Sequence, residues 1–232
     1  VKSLYKDAKR LAVDAENISE QIKLSDKNVI DAIEKLRYHY GILRIHLMEI
    51  RSLKVKTIMI DPGHGGDKDN GAVYGYTDED DINLSIAYLL RYELQLQGYS
   101  VAMTRERDEE ISLGKRVIFA NEMKADLFVS IHCDAFHKNT AQGMTVHVSP
   151  NCSATSRDVA NAISKSLHGK FPTHRDRGIK RSNFEVIRET DMPAVLIECE
   201  FLSNQETRRF LKEPENQLDL AKAIAQGIKR EI

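Results

Sequence analysis

Thr57-Ile-Met-Ile-Asp-Pro-Gly-His-Gly-Gly66 is the stretch whose reading decides the fold. Thr57–Ile60 is a short, mostly apolar run, and Asp61-Pro62-Gly63 stops it. A run of this kind, bounded by turn residues, reads as a buried strand. Just beyond it His64 stands among Gly63, Gly65 and Gly66, where the backbone can turn tightly and let the ring approach a ligand.

The same texture repeats downstream. Leu84–Leu96 has helical periodicity and stops at Gly98, and Tyr99–Thr104 reads as a strand. Leu113–Met123 reads as a helix, and Asp126–Ile131 as a buried strand running into His132. Met144–Val148 is a strand and Ser153–Leu167 a helix; Glu185–Arg188 and Ala194–Ile197 read as short strands, and Asn216–Ile232 as a closing helix. Alternation of this kind predicts an α/β layered domain with a largely parallel sheet. In such sheets the reactive residues gather at the carboxyl ends of the strands.

Upstream the texture changes. Residues 1–56 carry 12 basic and 8 acidic side chains, one Gly and no Pro; residues 57–232 carry 22 and 27, with eleven Gly and all five Pro. The shift predicts a boundary near Ser52–Lys56, with a small all-helical appendage at 1–55 and a second domain at 56–232. Ile18 to Arg37 faintly resembles a helix-turn-helix, while a packing arm or small bundle accounts for the same pattern. Its function is not readable from the residues.

The whole chain has 232 residues, 34 of them basic and 35 acidic, for a net charge of −1. That excludes a uniformly basic nucleic-acid binder and a highly acidic solvating chain. Hydrophobic residues at 41% and charged residues at 30% suit a soluble globular protein. No apolar run reaches the ~18–20 residues of a spanning helix. The N-terminus lacks the charged-then-apolar layout of a secretory signal, but the chain opens on Val1 rather than Met, so an upstream leader stays open. Cys133, Cys152 and Cys199 are odd in number and form neither a disulfide framework nor a CxxC zinc pattern, which favours synthesis in a reducing compartment.

Three strands therefore end in residues able to do chemistry: His64, His132 and Glu198. A fourth group, Asp78-Glu79-Asp80-Asp81, precedes a helix. Two His and one carboxylate, with an open fourth position, are the protein ligands of many catalytic zinc sites. Each residue also has a plain reading. His64 fits a Gly-rich turn, His132 a satisfied histidine at a strand rim, and Glu79 an acidic helix start that favours the dipole. Glu198 would be costly to bury unpaired, so function is the better reading there. It is the joint occurrence at strand ends that points to a metal site. His137, His147, His168 and His174 lack such a setting and read as surface or rim residues. Strand neighbours face opposite ways, so Cys133 and Cys199 are expected to point into the core if His132 and Glu198 face the site.

Ordered motifs carry a resemblance. They are Ile60–Gly66, Glu79-Asp-Asp-Ile-Asn-Leu84, Thr104-Arg105 with Asp108, Arg116 with Ala120-Asn121, Ala125–His132, Arg177-Gly-Ile-Lys180, and Pro193–Glu198 with Phe201–Asn204. Residues 56–232 resemble the zinc-dependent N-acetylmuramoyl-L-alanine amidases of the amidase-3 type. The resemblance implies a central, mostly parallel twisted sheet flanked by helices. It implies one Zn²⁺ per chain on His64, Glu79 and His132, with Glu198 as the catalytic carboxylate. The implied reaction is hydrolysis of the amide between the lactyl group of N-acetylmuramic acid and L-alanine of the peptidoglycan stem peptide. Asp80 stands where the family usually has a basic residue, Glu200 where it often has Gly, and Asp134 replaces a common Asn. Glu200 is expected to alter the rim of the site. Lys180, Arg181 and Asn183, in a basic stretch, are candidates for holding substrate. A non-catalytic wall-binding module or a different zinc peptidase are the alternatives. Action at the bacterial cell wall fits both a phage lysin and a secreted autolysin. Oligomeric state is not legible, and nucleic acid is an unfavoured partner.

Overall fold

The computed structural model describes residues 55–232. The helical reading of 1–55 and the helix-turn-helix resemblance fall, but for Val55, outside the described residues. Strand β1 (Thr57–Pro62) leads into helix α1 (Glu79–Leu96), then β2 (Ser100–Met103), α2 (Leu113–Glu122), β3 (Leu127–Asp134) and β4 (Met144–Val148). After these come α3 (Ala154–Lys170), β5 (Asp176–Arg181), the one-turn α4 (Glu185–Arg188), β6 (Ala194–Phe201), α5 (Gln205–Lys212) and α6 (Pro214–Ile228).

The strands form one six-stranded sheet in the order β2-β1-β3-β6-β4-β5. β2, β1, β3 and β6 run parallel. β4 lies antiparallel to β6 and carries β5 parallel to itself at the edge. The central strands read as unbroken apolar runs because both of their faces are covered. Ile58, Ile60, Val129, Ile131 and Ile197 point to one face, packed with Ile86, Leu90 and Leu94 of α1, Val159 and Ile163 of α3, and Leu220 and Ile224 of α6. Met59, Phe128 and Leu196 point to the other, where Ala120 of α2 and Val186 and Ile187 of α4 meet them. That second face carries the shorter helices α2 and α4, and the open end of the sheet beyond them forms the cleft.

Five elements differ from the sequence expectation. Glu185–Arg188 is a helical turn, not a strand. Its adjacent Val186 and Ile187 are both buried, and a four-residue run cannot display a period that separates the two states. β5 and α5 were not expected. β5 is a half-exposed edge strand, so its residues Asp-Arg-Gly-Ile-Lys-Arg carry no apolar alternation. α5 is capped by the Asn204 side chain, which accepts from the Glu206 N–H. β3 and β6 continue past His132 and Glu198, so these residues lie within strands and not at their last positions.

Candidate metal centre

His64 is delivered by the turn after β1 with a left-handed backbone, φ +60°, unusual for a residue with a side chain. Two buried arginines hold that turn. Arg116 of α2 donates to the carboxylate of Asp61 at 2.7 Å, to the Pro62 carbonyl at 2.7 Å and to the His64 carbonyl at 2.7 Å. Arg105 donates to the carbonyls of Pro62 and Gly63, each at 3.0 Å, and to that of Asp80 at 2.8 Å, next to Glu79. Thr104 and Ser130 also donate to Asp61. Burial alone would raise the carboxyl of Asp61; the Arg116 charge and these hydrogen bonds override it and hold it below the usual carboxylate range.

Glu79 is the first residue of α1 and is almost wholly buried. Its Oε2 accepts from the Ala72 N–H at 2.9 Å, and its Oε1 from the Cys133 N–H at 3.1 Å and the Asn83 amide at 3.3 Å. The same Oε1 lies 3.0 Å from His132 Nδ1 and 3.4 Å from His64 Nε2. The His64 Nδ1 is in turn 2.6 Å from Asp69. One donor atom from each of His64, Glu79 and His132 lies within 4.8 Å of the others. Among the described residues this is the one such cluster of His, Cys, Asp and Glu. A Cβ at Gly63 would lie 2.1 Å from the His132 ring, and one at Gly71 would lie 2.6 Å from Glu79 Oε2. The glycines give these three side chains room to converge.

The electrostatics follow from this crowding. Burial works against the His64 cation, but the hydrogen bonds and charges of Glu79 and Asp69 outweigh it and raise the imidazole to about 9. Burial likewise opposes the Glu79 anion, and His132 and His64 overcome it, so its carboxyl sits well below the usual range. Glu198 is different. It is the register partner of His132 on the neighbouring strand, its Oε2 has no hydrogen-bond partner among the described residues, and burial pushes its carboxyl up to about 7. Glu198, the three clustered residues, Asn183, Phe184 and Arg188 line one cleft of about 580 Å³.

Residues 58–230 match the N-acetylmuramoyl-L-alanine amidase family. The chain belongs to that family. It is 33% identical to the amidase AmiC of Neisseria meningitidis, covering 75% of this chain and 52% of that protein. It is 35% identical to the probable cell wall amidase LytH of Staphylococcus aureus, covering 78% and 60%. It thus spans half to three-fifths of the length of these relatives. An N-acetylmuramoyl-L-alanine amidase structure from Clostridium difficile 630 superposes with a TM-score of 0.74 at 37% identity, covering 77% of this chain and 97% of that one.

Within this amidase-family domain several sequence expectations need revising. Asn183 lines the cleft, but Lys180 and Arg181 do not; both lie on β5, and Arg181 donates to the Pro150 carbonyl. Glu200 is no rim residue. It is fully buried, accepts from the Gly143 and Phe201 N–H groups, and pairs with His174 at 2.9 Å. His147 is buried rather than superficial: it hydrogen-bonds Ser182, and burial lowers its imidazole to about 4. Cys133 and Cys199 point into the core, as strand parity requires, and burial pushes both thiols up. In the sequence Arg105 and Arg116 are legible only as motif residues. Two long side chains that must stay charged, both fully buried, are intelligible only once the carbonyls they serve are seen.

Proposed function

We propose that this domain hydrolyses the amide between the lactyl group of N-acetylmuramic acid and L-alanine of the peptidoglycan stem peptide. The observation that carries the reading is the convergence of His64, Glu79 and His132 in one cleft with a half-buried Glu198, whose Oε2 has no hydrogen-bond partner among the described residues. Two imidazoles and one carboxylate suit a single zinc ion, and Asp69 and the Ala72 N–H brace two of the three ligands from behind. When bound there, zinc supplies a water of lowered pKa, about 7, and polarises the carbonyl under attack.

Glu198 carries the proton. Its carboxyl, raised to about 7, is balanced between accepting and releasing one near neutrality. It takes the proton of the attacking water and passes it to the departing amine of L-alanine. It is not a ligand, because it must reach both the water and the leaving nitrogen. Asn183 and the cleft-lining Phe184 border the space for the stem peptide. Lys180 and Arg181 remain proposed substrate contacts only from outside that lining. No described helix is long and apolar enough to cross a membrane. The cell wall is the proposed site of action.

A digest of purified peptidoglycan, with and without a chelator, tests this reading. A newly freed L-alanine amine in the untreated digest supports it. Amines freed elsewhere in the peptide mark a peptidase, and binding without any cleavage marks a wall-binding module.

A further inference from the structure

Three side chains form a row across one face of the sheet: His132 on β3, Glu198 on β6 and Thr145 on β4. His132 is the parallel register partner of Glu198. Thr145 is its antiparallel partner. Directly opposed residues on paired strands project to the same face, with Cβ atoms about 4.5–5.5 Å apart. The intervening Ile131, Ile197 and Val146 all point into the core on the other face.

Thr145 is 1% exposed, and its Oγ1 has no hydrogen-bond partner among the described residues. The Oε2 of Glu198 is buried and also has none. Buried polar atoms are almost always paired, because an unmade hydrogen bond is costly. Here a donor and an acceptor, both unpaired, stand on directly opposed residues. A strand interior at this depth suits valine, which has the same shape and no hydroxyl to satisfy. His147, the next residue of β4 on that face, is already engaged with Ser182.

We infer that Thr145 is a positioning residue for Glu198. Its hydroxyl donates to Glu198 Oε2 when the carboxylate takes its working rotamer, which leaves Oε1 directed at the water and the leaving amine. The inference rests on Glu198 being the proton carrier under the function proposed above.

Thr145→Val, Thr145→Ser, Glu198→Ala and the Val/Ala double variant test it on soluble muropeptide. Thr145→Val is expected to lower kcat about ten-fold, the worth of one hydrogen bond to a charged group, with KM and zinc content unchanged. Its Tm should equal or exceed that of the wild type, since an unpaired hydroxyl has been removed. Thr145→Ser should recover most of kcat. In the Glu198→Ala background, Thr145→Val should cost nothing further. An unchanged kcat in Thr145→Val overturns the inference. So does a serine variant as slow as valine, or a further loss on top of Glu198→Ala. Full activity in Glu198→Ala instead overturns the reading on which the inference rests.

Discussion

At the residue scale, His64 and Glu198 have opposite problems. His64 sits against two carboxylates and holds its proton up to about 9; the Oε2 of Glu198 has no hydrogen-bond partner among the described residues, and burial pushes its carboxyl to about 7. A metal ion bound at the proposed site would have to displace the His64 proton. The folded, metal-free protein is therefore stabilised by His64 fully below its ordinary 6.5, and loses that contribution as pH rises through about 9. Zinc affinity should run the other way, climbing by close to ten-fold per pH unit from about 7 to about 9. Competition with a chromophoric chelator across that range measures it. An affinity that stays flat after correction for the chelator's own titration contradicts the His64 assignment. Glu198→Gln should keep one zinc per chain and lose about 10²–10⁴-fold in kcat, the range for general acid–base groups. At this scale the strand-end residues were legible, because apolar runs ending in His or Glu are visible in one dimension. The settings of His147, Glu200 and His174 were not, because their partners come from other strands.

At the element scale, the turn after β1 is held from α2 and from the segment after β2. Arg116 and Asp61 are 2% and 1% exposed and form a buried ion pair at 2.7 Å. Removing one partner of such a pair leaves the other charge uncompensated and costs about 3–5 kcal/mol. Arg116→Met is expected to lose that much stability in urea unfolding and to bind zinc more weakly, since the His64 carbonyl loses its donor. A loss below about 1 kcal/mol contradicts the clamp. The folded carboxyl of Asp61 lies below its ordinary value, so its contribution is present above about pH 4 and fades as pH falls toward its lowered value. Most elements were legible from apolar runs and their stops. α4, α5 and β5 were not: α4 is too short to show a period, α5 depends on a cap, and β5 is half-exposed at the edge.

At the scale of the whole domain, alternating strands and helices identified a largely parallel sheet, and the chain has one. The strand order was not legible, since a crossover leaves no mark in sequence; it is this order that sets β3 beside β6 and so His132 beside Glu198. The cleft of about 580 Å³ opens at that junction, on the face that α2 and α4 cover among the described residues. Under the function proposed above, hydrolysis in this cleft depends on a bound metal. The direct test is mass analysis of the products of a peptidoglycan digest by wild type, chelated wild type and Glu198→Ala. Free L-alanine amines are expected from wild type alone, with activity restored to the chelated sample by zinc and not to the variant. Equal release of those amines by the chelated protein or by Glu198→Ala would contradict it.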